Sequence, residues 1–168
     1  GTGFVFNPAG FVLTNEHVVR GCSNIKFFLN GRTTEAKIVS SDQQLDLAVL
    51  ATSLKGNDIL TFESENFEPS IMDKIFAVGF PYGGEVSSDI TVTSGIISSE
   101  SVGSNGIRKF QIDAAIQPGN SGGPVINERG HLLGIATSKA DTNYFLALSS
   151  QYCSSRSRLL LHLPRCYS

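Results

Sequence analysis

The chain has 168 residues, of which 40% are hydrophobic and 17% are charged, and its formal net charge is −2. This length fits one compact domain or two small half-domains. A mean hydropathy of +0.03 argues against a disordered chain, and a pI near 5.9 argues against the basic surface of a nucleic-acid-binding protein. No stretch approaches the ~18 consecutive apolar residues that a transmembrane helix needs, so no membrane span is expected.

Short strands are the predicted elements. Glycine contributes 17 residues and proline 6, and β-branched or aromatic runs recur between turn-forming segments, which is typical of a mostly β fold. Regular spacing of such runs predicts a barrel or a sandwich. In chain order the predicted strands are Gly3–Phe6, Phe11–Thr14, Ile25–Leu29, Thr34–Ser40, Leu47–Ala51, Lys74–Gly79, Ile90–Ser98, Ile107–Ile112, Pro124–Ile126 and Leu132–Thr137.

The segments between the strands carry turn residues. Asn30-Gly31 and Asn105-Gly106 predict hairpin turns, because both central positions of a type I′ turn need a positive φ. The polar segment Lys55–Ile71 is interpreted as the crossing between two halves of the domain. The last segment, Ser154–Ser168, is basic, contains an apolar run and has no acidic residue, so it differs in character from the rest.

The three cysteines are Cys22, Cys153 and Cys166, and they fit no metal-site spacing. Because their number is odd, at least one is unpaired or joined to another chain. A disulfide between Cys22 and a tail cysteine stays open, since it depends on an oxidising compartment.

The most informative string is QPGNSGGP, which runs from Gln117 to Pro124 and places Ser121 among glycines. A serine hydroxyl is a weak nucleophile unless a base removes its proton and donors stabilise the oxyanion that forms on the substrate carbonyl. Glycines on both sides let the backbone approach a substrate and turn its N–H groups outward. Taken alone, the string is also compatible with a flexible surface turn.

Two other segments supply the partners that such a serine needs. His17 follows directly after the predicted strand Phe11–Thr14, and Asp46 opens a strongly apolar run. Alone, His17 would be an ordinary surface or core residue and Asp46 a strand-edge cap. An enclosed carboxylate needs a donor, however, and a histidine Nδ1–H is a suitable one. The order His17, Asp46, Ser121 is that of the chymotrypsin-type triad and not that of subtilisin or the α/β-hydrolases.

On these residues the chain resembles the protease domain of the HtrA/Deg-type trypsin-like serine proteases. The resemblance covers about residues 1–139, and its specificity comes from several motifs in a fixed order. The matching segments are Gly1–Phe6, Thr14–Val19, Ala36–Val39, Leu45–Leu50, Val78–Pro81, Val92–Ser98, and Gln111–Ile116 running into Gly119–Pro124.

The resemblance implies an all-β fold of two six-stranded antiparallel barrels of the chymotrypsin type, with the active site in the cleft between them. It places the protease domain at residues 1–150, with the first barrel at about 1–55, the second at 72–150 and a divergent tail at 151–168. Where the family has its closing motif, Asn143–Ser149 keeps only the apolar rhythm. An aberrant last strand and last helix are therefore expected.

The resemblance also assigns roles. Ser121 would be the nucleophile, His17 the general base and then the general acid, and Asp46 the group that fixes the imidazole tautomer. Backbone N–H groups of Gly119 and Ser121 would form the oxyanion hole. The implied substrate-binding residues are Ala115, Ile116, Ile135, Ala136 and Thr137.

Four positions refine this assignment. Asn120 stands where digestive enzymes have the aspartate of zymogen activation, so that route is not expected. Ala115 stands where trypsins hold an acidic residue at the floor of the primary pocket, and Ile116 resembles a pocket wall. A small or medium aliphatic residue before the scissile bond is therefore expected, with no Arg/Lys preference. Asp113 is interpreted as a structural carboxylate.

Three functions follow for such a chain. The leading one is a serine endopeptidase that cleaves unfolded or extended polypeptides through an acyl-enzyme, without metal or organic cofactor. The second is a catalytically impaired module that binds peptides by strand addition along Leu132–Thr137, which an unclosed barrel would favour. The third is an esterase or acyltransferase with the same triad. The resemblance favours a periplasmic, secreted or organellar location and leaves a homo-oligomer open; no nucleic-acid partner is expected.

Overall fold

A computed structural model describes residues 1–29, 32–55, 59–63, 67–80, 90–102, 108–139 and 142–147. This part of the chain forms two antiparallel β units with one short helix. Within it, no helix has the length and apolar character needed to cross a membrane. In chain order the elements are β1 (Phe4–Val5), β2 (Phe11–Thr14), α1 (Glu16–Val19), β3 (Ile25–Leu29), β4 (Arg32–Asp42), β5 (Leu47–Thr52), β6 (Lys74–Gly79), β7 (Thr91–Val102), β8 (Arg108–Ile112), β9 (Pro124–Ile126), β10 (Leu132–Lys139) and β11 (Thr142–Ala147).

The first unit is an open sheet with the strand order β1-β2-β5-β4-β3. Its apolar core includes Val12 of β2 and Leu50 of β5, which are register partners and are 0% and 2% exposed. The two antiparallel β units predicted from the sequence are confirmed. The count of six strands in the first unit is wrong for the described residues, because β1 and β3 each pair on one side only and the five-stranded sheet does not close.

The second unit is a closed barrel with the strand order β10-β11-β8-β7-β6-β9. Stacked rings of Phe110 and Phe145, with centroids 5.1 Å apart, lie in its core, and both side chains are fully buried. Burial of these two aromatic side chains on neighbouring strands contributes to the apolar stabilisation of this barrel. All six strands expected for this unit are present.

The expectation of an aberrant last strand is wrong. β11 is regular and pairs with β10 through six residues and with β8 through three. Phe145 points into the barrel core, while Leu146 joins the apolar cluster between the two units. A strand buried on both faces needs only apolar residues at successive positions. The apolar residues of this segment were therefore sufficient to form the closing strand without the family motif. The expected last helix and the tail 151–168 lie outside the described residues.

An apolar cluster joins the two units. It combines Phe4, Leu13 and Val49 of the first sheet with Leu132 and Ile135 of β10. Leu60 and Phe62 of the crossing segment predicted between the halves pack against the same cluster. There Thr61 accepts a backbone hydrogen bond from Leu132 at 2.8 Å. The cluster therefore fixes the first sheet against the start of β10, and with it the loops on either side of the cleft.

Predicted and observed strand bounds agree closely. Four strands, β2, β3, β6 and β9, have the predicted limits, while β4 and β7 extend further than predicted. The predicted hairpin turns at 30–31 and 105–106 lie outside the described residues. Cys22 is exposed. Cys153 and Cys166 lie outside the described residues, so a disulfide between Cys22 and either of them stays open.

We predict that Phe145→Ala lowers the free energy of unfolding by about 3–5 kcal/mol, because it leaves a cavity against Phe110 in the barrel core. Phe28→Ala is the matched control, since Phe28 is 53% exposed and its truncation should change stability by less than about 0.5 kcal/mol. Urea unfolding curves of the wild type and both variants measure the difference. Equal effects of the two substitutions would contradict the assignment of β11 to the closed barrel.

Candidate active site

The ends of two paired strands bring His17 and Asp46 together. β2 pairs with β5 with Thr14 opposite Ala48, so the residues just after β2 and just before β5 are neighbours. His17 Nδ1 lies 2.8 Å from Asp46 Oδ2 and 2.9 Å from Oδ1. The backbone N–H of His17 also donates to Oδ1, at 3.0 Å. Because a carboxylate can only accept, Nδ1 carries the proton in this pair and Nε2 is left as the acceptor.

Asp46 occupies an unusual backbone conformation. Its φ is +54°, in the left-handed region that non-glycine residues rarely enter. Its carbonyl accepts a hydrogen bond of 2.9 Å from the Asn15 amide, and its carboxylate binds His17 twice. These contacts stabilise a backbone conformation that is intrinsically unfavourable for a non-glycine residue, which is typical of functional sites.

Asn15 connects this pair to the second unit. Its side-chain amide donates to the Asp46 carbonyl and, at 3.0 Å, to Thr137 Oγ1 of β10. The side chain is 0% exposed, so both bonds are made away from water. Asn15 was not among the site residues predicted from the sequence. The available signal was a polar residue directly before His17 at the end of an apolar strand.

The loop that carries Ser121 packs against the end of β2. Gly122 has a φ of +90°, and a Cβ built there would lie 2.2 Å from the Thr2 carbonyl oxygen and 2.4 Å from Thr14 Oγ1. Its N–H donates to the Ala136 carbonyl at 2.9 Å. Ser121 itself is 8% exposed. The loop is thus seated between β10 and the strand that ends three residues before His17.

A comparison with known families decides the classification. The family model described as "Trypsin-like peptidase domain" matches residues 1–135. The chain belongs to the trypsin-like peptidase family. The catalytic residues that the sequence suggested for this peptidase domain remain predictions.

Relatives of this trypsin-like peptidase domain are HtrA-type proteins, which confirms the resemblance stated from the sequence. Protease Do-like 1, chloroplastic, of Arabidopsis thaliana is 39% identical over 142 residues, covering 82% of this chain and 32% of the relative. Serine protease Do-like HtrA of Bacillus subtilis is 39% identical over 154 residues, covering 83% and 33%. The chain therefore spans about a third of the length of these curated relatives.

Two solved structures of related proteases have the same fold as this trypsin-like peptidase domain. HtrA-type protease AlgW with decapeptide superimposes with a TM-score of 0.81 at 32% sequence identity, covering 96% of this chain and 52% of that chain. The serine endoprotease from Yersinia pestis superimposes with a TM-score of 0.72 at 34% identity, covering 88% and 53%.

The residues predicted to bind substrate lie in different environments. Ala115 is exposed, and its carbonyl accepts a 2.9 Å hydrogen bond from Thr93 Oγ1. Ile116 is 7% exposed and packs in the core of the closed barrel. Ile135 and Ala136 are fully buried and Thr137 is 2% exposed. The side chains of these last three residues therefore do not line an open surface.

The edge of β10 is occupied over most of its length. Ile135 pairs with Pro124 on one side and Leu146 on the other. Ala136 exchanges two backbone hydrogen bonds, of 2.8 and 2.9 Å, with Gly123 and Gly122 of the Ser121 loop. Strand addition along the whole predicted edge from 132 to 137 is therefore wrong. In the described part of the chain, β10 has an edge that a peptide could pair with only from Thr137 onward.

Asp113 and Asn120 make contacts within the fold. Asp113 Oδ1 accepts a 2.6 Å hydrogen bond from the Ile96 N–H, which agrees with its interpretation as a structural carboxylate. Asn120 is 2% exposed and packs so closely on Gly79 that a Cβ there would lie 2.7 Å from Asn120 Oδ1. An uncharged amide at this buried position avoids the cost of burying an aspartate without a partner.

The carboxylate next to His17 has its own partner. Arg20 Nε donates to Glu16 at 2.9 Å, one helical turn along α1. This hydrogen bond lowers the pKa of Glu16 and raises that of Arg20. Glu16 is thus directed toward Arg20, and Asp46 is the carboxylate that binds the His17 ring. No group of three or more His, Cys, Asp or Glu side chains in the described ranges is arranged to hold a metal ion.

We predict that Gly122→Ala destabilises the domain more than Gly130→Ala. Both glycines have a positive φ, of +90° and +79°, but a Cβ at Gly130 would meet nothing within 4 Å. The left-handed conformation should cost each variant about 1–2 kcal/mol, and the clash with Thr2 and Thr14 should add about 1–3 kcal/mol for Gly122→Ala alone. Urea unfolding of both variants measures this difference. Equal stabilities would mean that the Ser121 loop is not seated on β2.

Proposed function

We propose that this domain is a serine endopeptidase that hydrolyses peptide bonds in unfolded or extended polypeptides through an acyl-enzyme. The observation that carries the proposal is the contact of His17 Nδ1 with the Asp46 carboxylate, at 2.8 Å, beside a buried glycine-rich loop that carries a serine. This constellation is the one by which a hydroxyl becomes a nucleophile.

Acylation uses the pair as follows. His17 Nε2 accepts the proton of Ser121 Oγ while Oγ bonds to the carbonyl carbon of the substrate, which gives a tetrahedral intermediate with a negatively charged oxygen. Backbone N–H groups of Gly119 and Ser121 stabilise that oxygen, and each such donor is worth about 3 kcal/mol in the barrier. His17 then gives its proton to the leaving amine as the C–N bond breaks. The products are a free amine and an ester on Ser121.

Deacylation repeats the sequence with water. His17 Nε2 takes a proton from a water molecule as its oxygen bonds to the ester carbon, and the second tetrahedral intermediate forms. Return of that proton to Ser121 Oγ breaks the ester and releases a carboxylic acid. Throughout, Asp46 holds the Nδ1–H and stabilises the imidazolium form, without itself becoming protonated.

The substrate would be an extended chain paired with the free edge of β10 from Thr137 onward. An extended peptide adds to a sheet edge through backbone hydrogen bonds, which explains a requirement for unfolded segments. Support for a polypeptide substrate comes from the relatives, whose names identify them as proteases.

The alternative of an impaired peptide-binding module is not favoured. That alternative required a second barrel that does not close and therefore misplaces Ser121. β11 pairs with both β10 and β8, and the barrel is closed. An esterase that uses the same groups differs only in its acyl donor, and comparison of casein digestion with ester turnover separates the two activities.

We predict that Ser121→Ala abolishes casein digestion and labelling by a fluorophosphonate, with a loss in kcat of about 10⁶-fold. Asp46→Asn should keep the fold but lower kcat by about 10⁴-fold, because an amide cannot hold His17 in the required tautomer. Ser99→Ala is the matched control, since the Ser99 hydroxyl donates to Gln111 at an exposed position of β7, and it should keep wild-type activity. Labelling of the Ser121→Ala variant at the wild-type rate would refute the assignment.

We predict a preference for a small or medium aliphatic residue before the scissile bond. A peptide with valine there should have a kcat/KM at least about tenfold higher than the same peptide with arginine, because Ala115 provides no carboxylate to pair with the arginine side chain. Ala115→Asp should narrow or reverse the ratio. Initial rates on a matched pair of fluorogenic peptides measure it, and faster cleavage of the arginine peptide by the wild type would contradict this part of the proposal.

A further inference from the structure

Thr2 makes an unusual set of contacts with the Ser121 loop. It precedes the first strand of the open sheet and is 6% exposed. It is not one of the residues proposed for the triad, the oxyanion hole or substrate binding. Its backbone N–H donates to the Ser121 carbonyl at 2.9 Å, and its hydroxyl donates to the Gly119 carbonyl at 2.7 Å. One residue thus binds the loop at two carbonyl groups, on either side of Asn120.

The hydroxyl of Thr2 has a single orientation available to its proton. The N–H of Phe80 points at the same oxygen from 3.0 Å and can only donate, so it occupies a lone pair. The Gly119 carbonyl can only accept, so the proton must lie on that side. The Thr2 carbonyl is held as well, by Thr14 Oγ1 at 2.6 Å. A β-branched side chain tied at this many points keeps one rotamer.

These bonds restrain peptide groups from the carbonyl side, while the Asn120 N–H donates to Gln117 at 3.0 Å and the Gly122 N–H to Ala136 at 2.9 Å. Gly119 and Gly122 have φ values of +104° and +90°, and glycine enters many such conformations at little cost. Thr2 holds the carbonyls of Gly119 and Ser121, and the Asn120 carbonyl between them accepts from the Gly123 N–H at 2.9 Å. Because each carbonyl is coplanar with the next N–H, three successive peptide planes are fixed, including the one that carries the Ser121 N–H.

We propose that Thr2 is a positioning residue for the oxyanion hole, acting from the opposite β unit through its hydroxyl on the Gly119 carbonyl. The inference rests on the proposed function and adds to it the residue that sets the conformation of the Gly119–Ser121 segment. Donors aimed at a developing charge lower the barrier only if their direction is set before the reaction. Thr2 contributes to that direction by holding the peptide planes on both sides of the one that carries the Ser121 N–H.

Replacement of the hydroxyl tests the role directly. Thr2→Val keeps the shape of the side chain but leaves the part-buried Gly119 carbonyl and Phe80 N–H without this partner. Thr2→Ser keeps both hydrogen bonds. Thr52→Val is the matched control, because the Thr52 hydroxyl of β5 donates to the Gly10 carbonyl at 2.7 Å, away from the Ser121 loop.

The experiment uses the full chain of the wild type and the three variants, with two readouts. The first is kcat and KM on the valine peptide described above, and the second is amide hydrogen exchange of the segment 117–123 measured by mass spectrometry. For Thr2→Val we expect kcat to fall about 10- to 100-fold while KM stays within about twofold, together with faster exchange in the segment. Thr2→Ser and Thr52→Val should match the wild type in both readouts.

Several results would overturn the inference. They are an unchanged kcat for Thr2→Val, unchanged exchange in the segment, or an equal loss of kcat in Thr52→Val. A wild type that cleaves no peptide would instead sink the proposed function, and the exchange data would still decide whether Thr2 orders the loop. If Thr2→Val loses its cooperative urea transition, Thr2→Ala, which removes the hydroxyl without placing a methyl group against the Gly119 carbonyl, carries the same comparison.

Discussion

The contact between the His17 ring and the Asp46 carboxylate is the interaction on which the rest of the site depends. It requires β2 and β5 to be paired so that both residues leave the sheet at the same edge. It also requires Asp46 to keep a left-handed backbone conformation, which Asn15 supports through the Asp46 carbonyl. The sheet therefore supplies the register, and the buried hydrogen bonds supply the orientation.

The second constraint is the seating of the Ser121 loop between the two units. Gly122 allows the loop to approach Thr2 and Thr14 at distances that no side chain would permit. Asn15 reaches Thr137, Thr2 reaches Gly119 and Ser121, and the apolar cluster of β1, β2, β5, β10 and β11 holds the units at the separation that these bonds need. Hydrogen bonds across a boundary are specific in direction, whereas the apolar contact mainly supplies free energy. The cleft uses both.

Local patterns predicted the strands well, and the exceptions are instructive. β2, β3, β6 and β9 have the predicted limits because alternating or continuous apolar runs end there at turn residues. β11 was expected to be irregular because the segment lacks a familiar motif, yet Phe145 and Leu146 meet the only physical requirement, which is burial on both faces. The edge of β10 was misjudged because strand pairing beyond sequence neighbours cannot be read from one strand.

The sequence by itself determined the strands of the closed barrel before β11, the family, and the three candidate residues His17, Asp46 and Ser121, since these depend on residue type and chain order. Only the tertiary structure decided that the His17 ring binds Asp46, that Asn15 and Thr2 bridge the two units, and that β10 is open to a partner only from Thr137. The reason is that hydrogen bonds between residues far apart in the chain depend on distance and direction, which composition and periodicity do not contain. Thr2 and Gly119, for example, are 117 positions apart.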